Sequence, residues 1–400
     1  MNMEKLSVCL IVKNEEPVLE RCLSCVVRFA DELIVVDTGS TDNSAEIAGK
    51  YTTQVYHHSW ENSFAKARNY SYSKSTGDYI MWLDADDVIS DENIEKIIEL
   101  KKETCADVIF TKYRDDSETG LYSYVLRDRI IKRSVYTHWE YDIHESIPVQ
   151  DKWKRLDRDD IEIVHKKEYV NEPERNMNIF RGLIDAGRQL EPFEKSNLIK
   201  ELSLHNKPNE AVELLNKSRD EFSEYSYDYA LNYVTPCLIK NKRWKECAEI
   251  IETAQTRMHS TARMVYSLGY CAEKSGDEKR AEQLYKEAMT VNEDPLSLSI
   301  RYTGYDDYYP RLRLAEIAYR KGNLTEALHL IELAGKLYPK AEEWKKMRLR
   351  FALKIDEPES TASEEIHNDK VEKLKREIEA LSAKISELSS EDIEKIQREM

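Results

Sequence analysis

Tyr79-Ile80-Met81-Trp82-Leu83-Asp84-Ala85-Asp86-Asp87 carries five apolar or aromatic residues straight into three carboxylates. The first five are bulky and uncharged, the pattern of a short buried strand. A strand ending in Asp-x-Asp holds two carboxylates at a sheet edge, because residues two apart on a strand point the same way. Asp84 and Asp86 so placed suit a hard divalent ion, Mn2+ or Mg2+, which takes few protein ligands and fills its shell from phosphate and water. Such an ion would neutralise a departing diphosphate. The local alternative is that Asp84 caps the next turn and the other carboxylates are solvated.

Working toward the N-terminus, strands alternate with helices. Leu6–Val12 is a short apolar run that fits a buried strand, and Glu15–Phe29 has helical spacing at Val18, Leu19, Leu23, Val26 and Val27. Leu33–Val36 is again strand-like and stops at the polar loop Asp37-Thr38-Gly39-Ser40-Thr41-Asp42, which caps a helix over Ser44–Lys50. Gln54–His57 and Tyr79–Leu83 complete the strands, with a helix over Phe64–Ser73 between them. This order predicts an α/β domain with a mostly parallel sheet between helices, whose ligands gather beyond the carboxyl ends of the strands. The polar loops all lie there. Asp37 ends the second strand on that edge and can accept from a nucleobase or a ribose hydroxyl, or else simply starts the Thr38-Gly39 turn.

Four motifs in order, Leu6-Ser-Val-Cys-Leu-Ile-Val-Lys-Asn-Glu15, Val36-Asp-Thr-Gly-Ser-Thr-Asp42, Trp60-x-x-x-Phe64-Ala-x-Ala-Arg68-Asn69 and Trp82-Leu-Asp-Ala-Asp-Asp87, resemble the bacterial family 2 glycosyltransferases of the GT-A fold. The resemblance implies a UDP-sugar donor, UDP-glucose or UDP-N-acetylglucosamine, and a metal-dependent transferase. Matched by position, Asp37 is expected at the uracil or ribose, Asn14 and Glu15 along the nucleotide pocket, and Arg68 at the base or diphosphate. Asp84 and Asp86 are expected to bind the nucleotide and its metal. Local reasoning alone makes Arg68 a surface helix residue. Farther on, Arg127–Arg133, Trp139 and Ile143-His144-Glu145 resemble an arginine-rich strand and a His-Glu motif of one branch of that family. Inverting transfer needs a base for the acceptor proton. Glu145, beside His144, is the candidate, with Asp142 and Glu140 as rivals. His165 follows the strand-like run Ile161–Val164 and is either a third metal ligand or structural.

Composition bounds these readings. The 400 residues carry 34% charged side chains and a formal net charge of -16, which argues against a general nucleic-acid role while leaving room for a small phosphorylated donor held through a metal. Of seven cysteines only Cys22 and Cys25 are closely spaced, on a predicted helix and without the partners of a zinc site, so they read as packed thiols. No apolar stretch approaches the roughly 20 residues that span a bilayer, and the expectation is a cytoplasmic protein without an integral membrane segment.

From Asn176 onward the pattern turns wholly helical. Asn206–Ala211, Asn241–Ala248, Ser275–Ala281 and Lys321–Ala327 resemble one another, and their alanines recur at intervals of 37, 33 and 46 residues. Tetratricopeptide (TPR) repeats recur at about 34. Ser299–Pro310 reads as an insertion in the long interval. Expected domains are therefore 1–172, a GT-A domain; 173–355, TPR-like repeats; 356–368, a linker; and 369–400, a coiled-coil helix with Val371, Leu374, Ile378, Leu381, Ile385 and Leu388 along its seam. That helix either pairs two chains into a homodimer or folds back alone. Family members with such repeats include sublancin-type peptide S-glycosyltransferases and transferases that modify flagellin. The resemblance therefore implies a polypeptide acceptor, a bacteriocin-like peptide or flagellin-like protein modified on Ser, Thr or Cys. The rival readings are a transferase building lipopolysaccharide core or surface polysaccharide, and a TPR and coiled-coil scaffold with a vestigial sugar domain.

Overall fold

A computed structural model describes residues 5–103, 105–167, 174–293 and 298–353. The expected linker 356–368 and coiled coil 369–400 lie outside the described residues, as does the expected boundary at 172–173.

The first half of the chain runs β1 (Leu6–Val12), α1 (Glu16–Val26), β2 (Glu32–Asp37), α2 (Ser44–Gly49), β3 (Val55–His57), α3 (Phe64–Lys74) and β4 (Tyr79–Leu83). It continues through β5 (Asp87–Val88), α4 (Asp91–Glu103), β6 (Val108–Asp115), β7 (Ser123–Lys132) and β8 (Arg155–His165). The strands β3, β2, β1 and β4 are mutually parallel neighbours, as the alternation of elements predicts. Every residue of β2 and β4 is buried, which is why both lack polar alternation. α1 begins with Pro17 in its first turn and buries Val18, Leu19, Cys22, Leu23 and Val26 along one stripe.

Beyond β4 the sheet departs from the mostly parallel expectation. Its order is β3-β2-β1-β4-β7-β6-β8-β5, with β7 antiparallel to both β4 and β6, β8 parallel to β6, and β5 antiparallel to β8. A hairpin needs no crossover helix, so β7 folds back from β6 and enters the sheet directly beside β4. This brings the start of β7 and the end of β8 to the same edge as the carboxyl ends of β1, β2 and β4.

The helices that follow are α5 (Arg175–Asp185), α6 (Pro192–Leu204), α7 (Pro208–Ser218), α8 (Glu224–Lys240), α9 (Trp244–Gln255), α10 (Ala262–Lys274) and α11 (Glu278–Ala288). A short strand, β9 (Arg301–Tyr302), precedes α12 (Tyr308–Arg320), α13 (Leu324–Leu337) and α14 (Glu343–Ala352). The repeat is sharper in the turns than in the sequence. Asn206, Lys242, Gly276 and Gly322 each take a left-handed backbone two residues before the second helix of a pair. In each turn the next residue's N–H returns to a carbonyl five positions back: Lys207 to Leu202, Arg243 to Leu238, Asp277 to Ala272 and Asn323 to Ala318, at 2.9–3.0 Å. This is one Schellman-type helix end used four times. It also corrects the register of the second unit. Cys247, fully buried, occupies the place of Ala211, Ala281 and Ala327, whereas Ala248 is half-buried.

The predicted insertion has a structural role. β9 adds to the sheet by pairing antiparallel with β7, Arg301 with Tyr124 and Tyr302 with Ser123. Thr303 N–H donates to the Tyr122 carbonyl at 3.0 Å, and Tyr122 N–H donates to Thr303 Oγ1 at 2.8 Å. Gly304, at φ +88°, turns the chain where a Cβ would stand 2.6 Å from Leu121 Cδ2. Among the described residues, no helix is long and apolar enough to cross a membrane, and all seven cysteines are free, with Cys22 buried and Cys25 half-buried.

Candidate active site

The acidic segment is not an extended strand end. β4 stops at Leu83 and the chain turns, with Asp87 N–H on the Asp84 carbonyl at 3.1 Å and Asp84 N–H on Asp87 Oδ2 at 3.0 Å. Strand alternation therefore does not aim Asp84 and Asp86; the turn does. The Cys22 thiol supports it from below by donating to the Asp84 carbonyl at 3.4 Å. Asp87 then opens β5, whose register sets it opposite His165 on β8. His165 Nδ1 lies 3.2 Å from Asp86 Oδ1 and 3.5 Å from Asp87 Oδ1.

Ligand atoms of Asp84, Asp87 and His165 all lie within 4.8 Å of one another. Asp87 Oδ1 is buried and has no hydrogen-bond donor, a costly state for a carboxylate oxygen unless something positive faces it. Burial opposes a charge on His165, yet the neighbouring carboxylates of Asp86, Asp87 and Asp84 hold its pKa up at about 10. A divalent cation fits this set: carboxylates suit Mg2+ and Mn2+, and an imidazole beside them suits Mn2+ better. Asp87 was absent from the expected ligands, because Asp-x-Asp spacing skips it.

Two arginines pair with the acids. Arg129 and Asp87 are both wholly buried, 3.1 Å apart. The Arg129 guanidinium lies 3.6 Å from the Trp82 ring and 4.0 Å from the Tyr113 ring, and its buried Nε and Nη2 have no hydrogen-bond partners. Arg68, expected on local grounds at the surface, has a side chain only 5% exposed and bridges two carboxylates, Nη2 to Asp84 Oδ1 at 2.7 Å and Nε to Glu145 Oε1 at 2.6 Å. Trp82 and Trp139 flank it at 4.6 and 5.1 Å. Ser63 caps α3 by accepting from Lys66 N–H at 3.3 Å, and this sets the turn of helix on which Arg68 faces inward. Burial works against the Asp84 carboxylate, but Arg68 and Arg129 outweigh it and hold its pKa down at about 2.

Arg68 and Asp84 face a cleft of about 300 Å³, lined also by Glu15, Thr38, Asp86, His144, Glu145 and His165, with Trp60, Tyr113, Arg127, Arg175 and Asn176 added by the tertiary structure. The rival acids are elsewhere: Asp142 pairs with Arg188 at 2.8 Å beside a neighbouring cavity, and Glu140 with His138 at 3.2 Å. Asn14 and Asp37 do not line the cleft. Asp37 Oδ1 accepts from Ser40 N–H at 3.0 Å and its Oδ2 lies 3.1 Å from His57 Nδ1; Asn14 Oδ1 accepts from Thr41 N–H at 2.8 Å. They brace the loop that presents Thr38. His144 enters the cleft on a left-handed backbone, φ +53°, and its Nε2 meets Glu201 Oε1 of α6 at 3.1 Å. Burial is the largest influence on this imidazole and pushes its pKa down to about 4, so it is neutral at pH 7. Glu201, 3% exposed, also accepts from Asn176 at 3.1 Å. A helix of the repeat region thus holds two residues of the cleft.

Residues 7–170 match the model of Glycosyl transferase family 2. A TPR repeat-containing protein of Synechococcus elongatus is 33% identical over 147 residues, 36% of each chain. The glycosyltransferase SunS of the Bacillus subtilis SPbeta prophage is 26% identical over 243 residues, 54% of each chain. The chain therefore spans between a third and about half of the length of these relatives. Staphylococcus aureus TarS (residues 1–349), solved with UDP-GlcNAc, aligns with 75% of this chain and 96% of its own at 14% identity and a TM-score of 0.35.

Proposed function

We propose that this family 2 domain transfers a hexose or N-acetylhexosamine from a UDP-sugar to a Ser, Thr or Cys side chain of a polypeptide, with inversion at the anomeric carbon. The observation that carries this reading is the acidic turn after β4, where Asp84 and His165 line a cleft on the carboxyl edge of the sheet and the buried Asp87 lies against both. Asp84, Asp86, Asp87 and His165 are the residues to hold Mn2+ or Mg2+, which when bound supplies positive charge to a departing diphosphate. Arg68 keeps Asp84 ionised and fixes the Glu145 carboxylate beside it. The Glu145 carboxylate acts as the base: the acceptor oxygen or sulfur bonds the anomeric carbon from the face opposite the nucleotide, its proton passes to Glu145, and the bonding pair leaves with UDP. The neutral His144 imidazole, anchored by Glu201, is placed to hydrogen-bond an uncharged acceptor group without repelling a cation.

UDP-glucose and UDP-N-acetylglucosamine turnover with and without Mn2+ tests the donor side. Asp86→Asn should lower turnover by roughly 100-fold or more, the scale of losing a charge stabiliser at a reacting phosphate, while the variant keeps its wild-type circular dichroism. A fully active Asp86→Asn enzyme, or turnover indifferent to metal, refutes the assignment.

A further inference from the structure

Arg127 of β7 lines the cleft, has a buried Nε with no hydrogen-bond partner, and lies within electrostatic reach of Tyr225 and Tyr229 of α8. Tyr225, Tyr229 and Tyr233 recur every four residues and so share one face of α8, with ring centroids 6.1 and 5.3 Å apart in succession. All three are half-buried, whereas Tyr227, between them on another face, is 4% exposed and packs in the repeat core. Core tyrosines exist in this chain, and these three are not among them. Burial raises the hydroxyls of Tyr229 and Tyr233 above the usual phenol range, as expected for the wall of a concavity.

The same face is cationic in a strongly acidic protein. Lys200 of α6 donates to the Tyr229 hydroxyl at 3.2 Å and stands 5.3 Å from the Tyr233 ring. Beyond Tyr233 comes Tyr302 of β9, with the Arg263 guanidinium 3.8 Å from its ring. A tract of phenol rings and basic side chains thus leads from the reacting centre across α8 to the strand that clamps the repeats onto the sheet. Two helical turns from Tyr225 to Tyr233 cover about 12 Å, the length of about four residues of extended chain.

We infer that this tract is the acceptor-docking surface: an extended polypeptide segment lies along Tyr225, Tyr229 and Tyr233, an acidic side chain within about four positions of the accepting residue pairs with Arg127 or Lys200, and the accepting Ser, Thr or Cys reaches the cleft. The inference rests on the reading of the acceptor as a polypeptide. Continuity with the cleft and the charge of the tract select the occupant. Rings hold planar peptide groups and aliphatic stems, and the two cations select carboxylates.

The test is Mn2+-supported transfer from UDP-glucose and UDP-N-acetylglucosamine to fifteen-residue peptides carrying one Ser, Thr or Cys flanked by acidic, neutral or basic residues. The acidic set should show the lowest KM. Replacing Tyr229 and Tyr233 together by alanine should raise the ratio of peptide KM to UDP-sugar KM about tenfold, while the paired phenylalanine variant stays within about twofold because the rings remain. Lys200→Glu, which reverses the charge and leaves the three rings in the chain, should erase the preference for acidic over neutral peptides. Transfer to peptides with an unaltered KM ratio in the alanine variant, or a preference for basic peptides, overturns the docking surface alone. Transfer to no peptide, with activity only on a lipid-linked or polysaccharide acceptor, overturns the polypeptide reading and the docking surface together.

Discussion

Replacing Arg129 by methionine, similar in length and volume, would withdraw one charge from a site with no solvent access. Arg129 and Asp87 are both wholly buried and 3.1 Å apart, so Asp87 would be left as a buried carboxylate without its counter-ion. Breaking a buried pair from one side costs about 3–5 kcal/mol. Here the lower end applies, about 3 kcal/mol, because His165 Nδ1 stands 3.5 Å from the other Asp87 oxygen and carries positive charge at neutral pH. Asp87→Asn strands the guanidinium instead, and the Trp82 and Tyr113 rings at 3.6 and 4.0 Å return about 1–2 kcal/mol of that loss. The double variant removes both charges and should cost less than the sum of the singles by about 1–3 kcal/mol. Urea unfolding at pH 7, followed by tryptophan fluorescence, reads this directly because Trp82 packs on the guanidinium. A single variant that loses under about 1 kcal/mol, or additivity within about 0.5 kcal/mol, would refute the claim that this pair holds the acidic turn in place.

The His144 imidazole, held at about 4 by burial, gives stability a pH dependence. Its unfolded value is about 6.5, so between those limits the unfolded chain binds a proton that the folded chain refuses, and stability falls as pH falls by up to about 1.4 kcal/mol per pH unit. Urea melts of His144→Asn between pH 4.5 and 7 should show a shallower acid slope; parallel slopes for the two proteins would contradict the burial account. Gly304→Ala should destabilise the β7–β9 clamp, since φ is +88° and the new methyl would meet Leu121 Cδ2 at 2.6 Å. Gly276→Ala shares that φ but has nothing within 4 Å, so it isolates the backbone penalty of about 1–2 kcal/mol. Faster hydrogen exchange at Thr303 and Tyr122 in the Gly304 variant alone is the expected readout; equal melting temperatures for the two variants would oppose it.

Most of the first half of the chain was legible because its elements are short and locally decided. Buried parallel strands advertise themselves as unbroken apolar runs, and the loops that end them as polar punctuation, so β1, β2, β4 and the acidic segment were found within a residue or two. Arg68 was legible only through the motif it belongs to. Nothing local distinguishes a helix arginine in solvent from one held between two tryptophans and two carboxylates. The repeats were legible in period but not in register, because Ala248 and Cys247 are both small and only packing selects the thiol.

By itself the sequence determined which segments are strands and helices, where the chain must turn, and that carboxylates collect at one sheet edge. Apolar runs, caps and turn residues act through neighbours a few positions away. The tertiary structure alone decided that β7 inserts beside β4, that Arg129 pairs with Asp87, that His165 arrives opposite the acidic turn, and that β9 joins the helical region to the sheet. Each of those contacts joins residues 40 to 180 positions apart. It exists because burying the charges and the strand edges together costs less than leaving any of them unpaired, a balance that no local pattern records.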